Sequence, residues 1–370
     1  MSFEDKWQLF VQKLKTPEGK KKLALSIAFI VVLIVLGWVI YARYFQKTIS
    51  EPKKNTDTVI DVKKGTVEEK EESKLNGLSY VKSKANRHPI AIMIENHPEA
   101  RPQVGLDKAQ VIYEAEAEGG ITRFMALYGA EDANKIGPVR SARTYYVDWD
   151  YEYDAFYAHV GGNADALSLI KQLGVKDLDQ FTYGTQAYWR ENENKATEHT
   201  MYTDTDKLRN IAKDNGWNTS TSDFSAFKFK NDIAKEQRPE KQIIHVNFSS
   251  DLYNVKWEYD RNENMYKRYM AGELHKDRIT NEYLKTKNII VQYVNRSLTT
   301  NGNESAWIME TVGEGQAIVF FDGKKIDATW KKPTLNDRTR YYDPAGAEII
   351  FDRGNLWYEI LPVNAVVTTE

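Results

Sequence analysis

The sequence predicts an α/β sandwich with a mixed sheet, followed by a smaller antiparallel β domain and preceded by one transmembrane helix. Three observations lead to this fold class. An uncharged apolar segment lies near the N-terminus, strand-like and helix-like segments alternate over residues 87–236, and short strands joined by turns fill residues 237–370. Alternating strands and helices are typical of α/β folds, whereas short strands with turn residues are typical of antiparallel sheets.

The composition excludes several classes of function. The formal net charge is −2, so the chain lacks the positive field that holds proteins on phosphates, and no nucleic-acid partner is expected. The absence of cysteine excludes disulfides, thiolate metal sites and a lipid-modified cysteine anchor. The sequence also lacks a Walker loop, a dinucleotide glycine motif, HExxH and GxSxG.

The apolar segment predicts how the chain meets a membrane. Residues 23–42 read LALSIAFIVVLIVLGWVIYA, without a charge. At about 1.5 Å per helical residue this segment spans a hydrocarbon core of about 30 Å, so a transmembrane helix in the lipid bilayer is predicted. Lysines are more frequent before the segment than after it. Residues 1–22 are therefore expected in the cytoplasm, and the rest of this single-pass cell-membrane protein outside it.

The next segment, residues 43–86, predicts a flexible linker. It is rich in Lys, Glu, Thr and Ser and contains the run TISEPKKNTDTVIDVKKGTVEEKEESK. Such a composition buries too little apolar surface to order itself. The linker would hold the folded part away from the bilayer.

Residues 87–236 contain the elements of the predicted α/β domain. Strands are predicted in PIAIMIE, QVIYEAEAE and ITRFMALYG. Helices are predicted in NADALSLIKQLG and TDTDKLRNIAKDNG, because each has an Asn or Asp cap, apolar residues three to four apart and a terminal glycine.

Residues 237–370 predict the antiparallel domain. Its strands are IIHVNF, VKWEYD, MYKRYM, NIIVQYV, AIVFF, KIDATW and EIIFDRGNLWYEILP, with turn signals in FDGK and DRGN. Four tryptophans in this part are predicted to lie in the core rather than on a binding surface, namely Trp257, Trp307, Trp330 and Trp357.

Three glutamates alternate along one predicted strand. Period-two geometry places Glu114, Glu116 and Glu118 on one face of QVIYEAEAE. Aligned carboxylates could bind a divalent cation such as magnesium, or raise one another's pKa. The alternative is a solvated strand face. Glu118 is the strongest candidate for a catalytic carboxylate because it directly precedes Gly119 and Gly120.

Arginines cluster in the sequence after these glutamates. Arg123 lies in a mostly apolar strand, while Arg140 and Arg143 lie in the turn-like segment GPVRSAR. Guanidinium groups at strand ends suit the oxygens of phosphates and carboxylates, so these arginines predict an oxyanion site. Salt bridges to the neighbouring glutamates are the competing interpretation.

Two further segments could complete such a site. The polar loop AYWRENENKATEHTMY carries Arg190 and His199 and could close over it. Asn96, His97 and Arg101 directly follow the first strand of the domain. The C-terminal ends of strands in α/β sheets commonly bind ligands, so all five residues are candidates for ligand binding.

Several of these segments resemble a known family. PIAIMIENHPEARPQVGLDKAQVIYEAEAEGGITRFMALYG, GPVRSARTYYVDW, AFYAHVGG and, further on, VGEGQAIVFFDGKKIDATW and GNLWYEILP are similar to the YerB-like envelope proteins, a domain family of unknown function. The resemblance covers about residues 85–365. It implies a location outside the cytoplasm, although many relatives are lipoproteins and this chain has no cysteine.

A more distant likeness is to the LytR–CpsA–Psr enzymes, which transfer glycopolymers from a polyprenyl pyrophosphate carrier to peptidoglycan. PIAIMIENH, ITRFMALYG and GPVRSART resemble their strands and arginine turn. This likeness implies that Arg123, Arg140 and Arg143, joined by Arg190, hold pyrophosphate. Met125 stands where those enzymes carry an aspartate for magnesium, so a magnesium ion would need another carboxylate, such as Glu118.

Two functional hypotheses follow. In the first, an envelope protein binds an anionic, lipid-linked or cell-wall phosphate through its arginines and acts as a glycopolymer phosphotransferase, with Glu118 and Arg123 in catalysis. In the second, a non-enzymatic module binds an envelope protein or a cell-wall polymer such as peptidoglycan, and its arginines and glutamates pair with each other. Magnesium dependence distinguishes the two.

Overall fold

A computed structural model describes residues 68–191, 194–301 and 304–370, together with isolated positions at 4, 7, 8, 16–18, 20, 21 and 36. The chain divides into two units, residues 1–66 and 67–370, and every element below lies in the second unit. Across these described positions, no helix is both long and apolar enough to span a bilayer. Apart from residue 36, the predicted span at 23–42 lies outside the described residues, as does the predicted linker up to residue 67.

Strands and short helices alternate in the first half of the folded unit, and strands dominate the second half. The strands are β1 (Lys70–Glu72), β2 (Ser79–Val81), β3 (Ile90–Glu95), β4 (Val111–Glu116), β5 (Thr122–Tyr128), β6 (Phe156–His159), β7 (Lys176–Asp179), β8 (Tyr188–Arg190), β9 (Met201–Thr203), β10 (Phe229–Lys230), β11 (Ile243–Asn247), β12 (Asn254–Asp260), β13 (Met265–Met270), β14 (Glu273–Leu274), β15 (Lys285–Thr286), β16 (Asn288–Val294), β17 (Arg296–Asn301), β18 (Glu304–Met309), β19 (Gly313–Phe321), β20 (Lys324–Lys332), β21 (Arg340–Tyr342), β22 (Phe351–Asp352), β23 (Leu356–Pro362) and β24 (Val367–Thr369). The helices are α1 (Lys82–Ala85), α2 (Thr144–Tyr151), α3 (Ala164–Leu173), α4 (Gln180–Tyr183) and α5 (Thr205–Asp214).

A ten-stranded mixed sheet forms the centre of the fold, in the order β21-β20-β19-β16-β23-β4-β5-β3-β6-β7. The predicted mixed sheet is therefore confirmed. Five of its strands come after residue 236. They join the N-terminal strands of the sheet through β23, which pairs in parallel with both β16 and β4. The predicted boundary at 236/237 thus runs through one continuous sheet. The apolar run LWYEILP suits this central position, since strands covered on both faces carry near-continuous apolar residues.

Six other C-terminal strands form the separate antiparallel sheet that the sequence predicts, in the order β14-β13-β12-β11-β24 with β15 beside β13. Strands β17 and β18 pair with each other, and β22 pairs with β10. This second sheet packs on one face of the central sheet, where Trp257 and Trp357 are buried with Phe124. Helices α2 and α3 cover the other face, with Trp149 and Ile170. The predicted core positions are confirmed for Trp257, Trp330 and Trp357, whereas Trp307 is only partly buried.

Caps and glycines fix the helix ends as predicted. Asn163 accepts a hydrogen bond from the Ala166 amide at the start of α3, and Gly174 ends this helix in the left-handed conformation. Asp204 accepts from the Lys207 amide at the start of α5 in the same way.

Residues 70–85 differ from the predicted linker. They form the hairpin β1–β2 and the one-turn helix α1. Leu75 and Ala85 are buried, and the Gln110 side chain donates to Ser73 at 3.1 Å. The segment is ordered because a few apolar side chains, such as Leu75, pack into the core on the central sheet. The charged composition of the segment does not indicate this packing.

Candidate functional site

One edge of the central sheet gathers most of the predicted site residues. Strands β3 and β4 end there and β5 begins there, because β5 is antiparallel to both and pairs Thr122 with Glu116 and Arg123 with Glu95. We call this the strand-end site. Its side chains come from four segments of the chain and are Glu95, His97 and Glu99; Glu118 and Arg123; Arg140 and Arg143; and His199.

Two arginines share one carboxylate at the centre of the strand-end site. Arg123 donates to Glu118 at 2.8 Å, and Arg143 donates to the other carboxylate oxygen. The arginine side chains are 6% and 12% exposed, whereas Glu118 is 33% exposed. Burial and the neighbouring Arg123 guanidinium lower the pKa of Arg143. The site therefore holds two nearly buried cations around one partly exposed anion.

The segment around Arg140 is held against the end of β3. The Arg140 amide donates to the Met93 carbonyl at 2.9 Å, and Val139 donates to the Met201 carbonyl. Gly137 is required here, because it has a φ of +143° and a Cβ would lie 2.8 Å from the Met201 carbonyl oxygen. This path places the Arg140 Nε 2.5 Å from an oxygen of buried Glu95.

Two histidines flank the Glu95–Arg140 pair. The rings of His97 and His199 stack with centroids 4.8 Å apart and planes 7° apart. His199 is buried, and its Nδ1 lies 3.6 Å from Glu95. One potential ligand atom each from His97, Glu99 and His199 lies within 4.8 Å of the others, so these residues could hold a metal ion.

Asn96 and Arg101 take part in a buried network between the two sheets rather than in an open site. Asn96 donates to Glu114 at 3.1 Å, and Arg101 donates to the Asn96 side chain at 3.0 Å. Arg268 from β13 forms an ion pair with Glu114, and neither side chain is exposed. The polar groups in this network are directed at each other, which is the arrangement that burial demands.

Glu114 and Glu116 do not form a solvated face, which corrects that interpretation of the strand. Both are buried, because the second sheet covers Glu114 and the hairpin β17–β18 covers Glu116. Arg296 donates to Glu116 at 2.7 Å, and the Trp307 indole donates to it at 3.2 Å. All three glutamates pair with arginines, but only Glu118 pairs with arginines that the salt-bridge interpretation named, namely Arg123 and Arg143. Glu114 and Glu116 pair with the distant Arg268 and Arg296 instead.

Arg190 stays with its own loop. It is exposed and donates to the Thr197 carbonyl, with a longer bond of 3.5 Å to the Thr200 hydroxyl. These described hydrogen bonds do not reach Glu95 or Glu118, so the structure does not join Arg190 to the other arginines as predicted.

Sequence reasoning missed several ionisable residues in this region. Arg268 occupies a buried position in the alternating strand MYKRYM, and Glu359 is the lone charge in LWYEILP. Burial and the nearby Glu114 raise the pKa of Glu359 to about 8. A charged residue at an apolar position of a strand was the available signal, because such a group needs a buried partner.

Comparisons with known proteins give the family. The model for the N-terminal domain of the protein of unknown function DUF3048 matches residues 75–218, and the model for its C-terminal domain matches residues 244–358. The putative lipoprotein YerB of Bacillus subtilis (strain 168) is 28% identical over 290 residues, which cover 78% of this chain and 85% of that protein.

A solved structure agrees with this match. The crystal structure of YerB from Bacillus subtilis is similar with a TM-score of 0.72 and 26% identity, over 80% of this chain and 99% of the crystallised one. The likeness to the LytR–CpsA–Psr enzymes stays a prediction. The two matched domains and the shared fold show that the chain belongs to the YerB-like family of DUF3048 proteins.

Proposed function

We propose that this protein is a membrane-anchored envelope protein whose strand-end site binds an anionic ligand. The location is supported by the apolar segment at residues 23–42 and by the relative that is named a putative lipoprotein. Binding is supported by one observation above all. Arg123 and Arg143 are both directed at the single carboxylate of Glu118.

In this proposal Glu118 acts as an exchangeable counter-ion. Two guanidinium groups facing one carboxylate leave an excess positive charge, and burial strengthens its attraction for a second anion. The Nε of Arg123 is buried and has no hydrogen-bond partner among the described residues. Glu118 is a third exposed and is followed by two glycines at positive φ, so its side chain can leave without unfolding the strand. A phosphate or pyrophosphate group would take its place.

The same geometry favours binding over phosphotransfer. A general base needs a free lone pair and a pKa near the working pH. Both oxygens of Glu118 already accept hydrogen bonds from guanidinium groups, so neither is directed at a substrate proton. Glu118 is therefore proposed as a counter-ion that the ligand displaces, and not as a base or a magnesium ligand.

Calorimetry on the detergent-solubilised full-length chain tests this proposal. We expect a polyprenyl pyrophosphate and inorganic pyrophosphate to bind, and Arg140→Ala combined with Arg143→Ala to weaken binding by about tenfold or more, since charge-assisted hydrogen bonds are lost. Arg340→Ala combined with Arg353→Ala is the matched control. It removes the same charge from arginines that pair with Glu348 and Glu72 elsewhere. Equal binding by both double variants would overturn the proposal.

A second candidate function is a non-enzymatic module that binds a partner protein or a cell-wall polymer such as peptidoglycan. It is favoured by the internal pairing of Arg140 with Glu95 at 2.5 Å and of Arg296 with Glu116 at 2.7 Å. If the wild-type chain binds no pyrophosphate and the Arg140→Ala, Arg143→Ala variant is only less stable, this second function is favoured over the first.

A further inference from the structure

We propose that His97, Glu99 and His199 bind one divalent transition-metal ion of the zinc class. The three side chains offer ligand atoms that lie within 4.8 Å of one another. This inference goes beyond the anion site at Arg123 and Arg143 and does not rest on it, because none of the three residues contacts Glu118 in the described structure.

Backbone contacts hold the ligands in place. His97 lies two residues after the end of β3 and caps the short 3-10 turn Pro98–Ala100, which carries Glu99. His199 ends another 3-10 turn, and β9 follows it. The Met201 carbonyl accepts from the Val139 amide at 2.7 Å, which fixes this loop beside β3. Residues far apart in sequence are thus brought together by the fold, as a preorganised site requires.

The ring of His199 lies between two carboxylates, with one nitrogen towards each. The residue is 5% exposed, and its Nδ1 has no hydrogen-bond partner among the described residues. Its Nδ1 lies 3.6 Å from Glu95 and its Nε2 lies 3.7 Å from Glu99, both beyond a normal hydrogen bond. An ion between Nε2 and Glu99 would leave Nδ1 facing Glu95, which is the carboxylate–histidine–metal arrangement of many sites.

His97 can supply the second imidazole. Its Nδ1 accepts a long hydrogen bond of 3.3 Å from the Glu99 amide, which orients the ring and leaves Nε2 as the proposed ligand atom. Ligand atoms around a tetrahedral ion lie about 3.3 Å apart, given bonds of about 2.0–2.1 Å. The Glu99 side chain is 65% exposed, so it can rotate to close the set.

The ligand types select the ion. Imidazole nitrogens suit Zn²⁺, Cu²⁺, Ni²⁺ and Fe²⁺, whereas Mg²⁺ and Ca²⁺ prefer oxygen. Two histidines and one carboxylate leave a fourth position for water or a ligand. Glu95 already pairs with Arg140, so Glu99 is the one carboxylate that we assign as a direct ligand. The inferred ion thus differs from the magnesium that the glutamates suggest.

Calorimetry with zinc chloride, cobalt chloride and magnesium chloride on the chelator-treated full-length chain tests the site. We expect one Zn²⁺ per chain, at least tenfold tighter than Mg²⁺, and a visible absorption band on binding Co²⁺. His97→Ala should abolish both signals, and Glu99→Gln should weaken binding about tenfold. His245→Ala is the matched control, because this histidine is exposed and pairs with Glu370.

Two results would overturn the inference. One is the absence of a stoichiometric Zn²⁺ site in the wild-type chain. The other is unchanged Zn²⁺ affinity in both His97→Ala and Glu99→Gln, which lie at the surface side of the site and should fold. Pyrophosphate binding measured on the same variants separates this outcome from the fate of the anion site.

Discussion

The glutamates of β4 and the turn after it form two kinds of ion pair within a few residues. Glu114 and Arg268 are both fully buried, whereas Glu118 is a third exposed between Arg123 and Arg143. The same chemical groups therefore serve different purposes. A desolvated pair is costly to break because the remaining charge stays buried without a partner. A partly exposed carboxylate can instead give up its arginine contacts to water or to a ligand.

The surroundings of the inner pair support this contrast. The Arg268 guanidinium lies 4.6 Å from the ring centre of Trp357, and Thr122 donates to Glu114 at 2.7 Å. His275 contacts the guanidinium at 2.6 Å. Burial and the nearby Arg268 lower the pKa of His275 well below its usual value, so this histidine is neutral. The inner pair belongs to a closed network that joins the two sheets.

Removing the inner cation should have the largest effect. Arg268→Ala leaves Glu114 charged and without its cation in the buried network between the sheets, and should lower the free energy of unfolding by about 3–5 kcal/mol. Urea titration followed by tryptophan fluorescence measures this loss. Adding Glu114→Gln to the variant should recover part of it, because the stranded charge is gone. A loss below about 1 kcal/mol would contradict the assignment of this pair to the structural core.

Glu359 should give a smaller, pH-dependent effect. Burial and Glu114 raise its pKa to about 8 in the folded chain, from an ordinary value of 4.5. Between these values the folded state holds a proton that the unfolded state has lost, so this group lowers stability as the pH rises. Glu359→Gln should remove that dependence. The free energy of unfolding of this variant, relative to that of the wild type, should therefore rise by about 2–4 kcal/mol from pH 5 to pH 8.5.

The control for this measurement is Glu348→Gln, a glutamate that pairs with Arg340 and is 21% exposed. Chemical unfolding at both pH values gives the difference between variant and wild type. An equal pH dependence in the wild type and in Glu359→Gln would show that the carboxyl is ionised in the folded chain at neutral pH.

The sequence was sufficient for the local elements. Strands β3 and β5 follow from apolar runs and β4 from its alternation, and α3 follows from its cap at Asn163 and its end at Gly174. It was not sufficient for the partners of the strands. The parallel pairing of β23 with β4 joins Leu356 to Val111, and nothing in the local pattern indicates which distant strand completes a sheet.

The strand-end site shows the same division. Rules for strand ends placed Arg123, Arg140 and Arg143 near one edge, and the structure brings them there with Glu118 and Glu95. The stacking of His97 on His199 depends on how two loops fold over that edge. Side-chain pairs between loops have no periodicity from which they could be predicted.

The outer pair should give the smallest loss of stability and the clearest response to anions. Glu118→Gln should cost about 1 kcal/mol or less, because the carboxylate is partly exposed. It leaves Arg123 and Arg143 facing each other without their shared counter-ion, so sodium sulfate should stabilise this variant more than the wild type, compared with sodium chloride at equal ionic strength. Thermal unfolding measures the difference, with Glu348→Gln as the control. An identical response to sulfate in all three proteins would mean that the Glu118 carboxylate does not stand in for a bound anion.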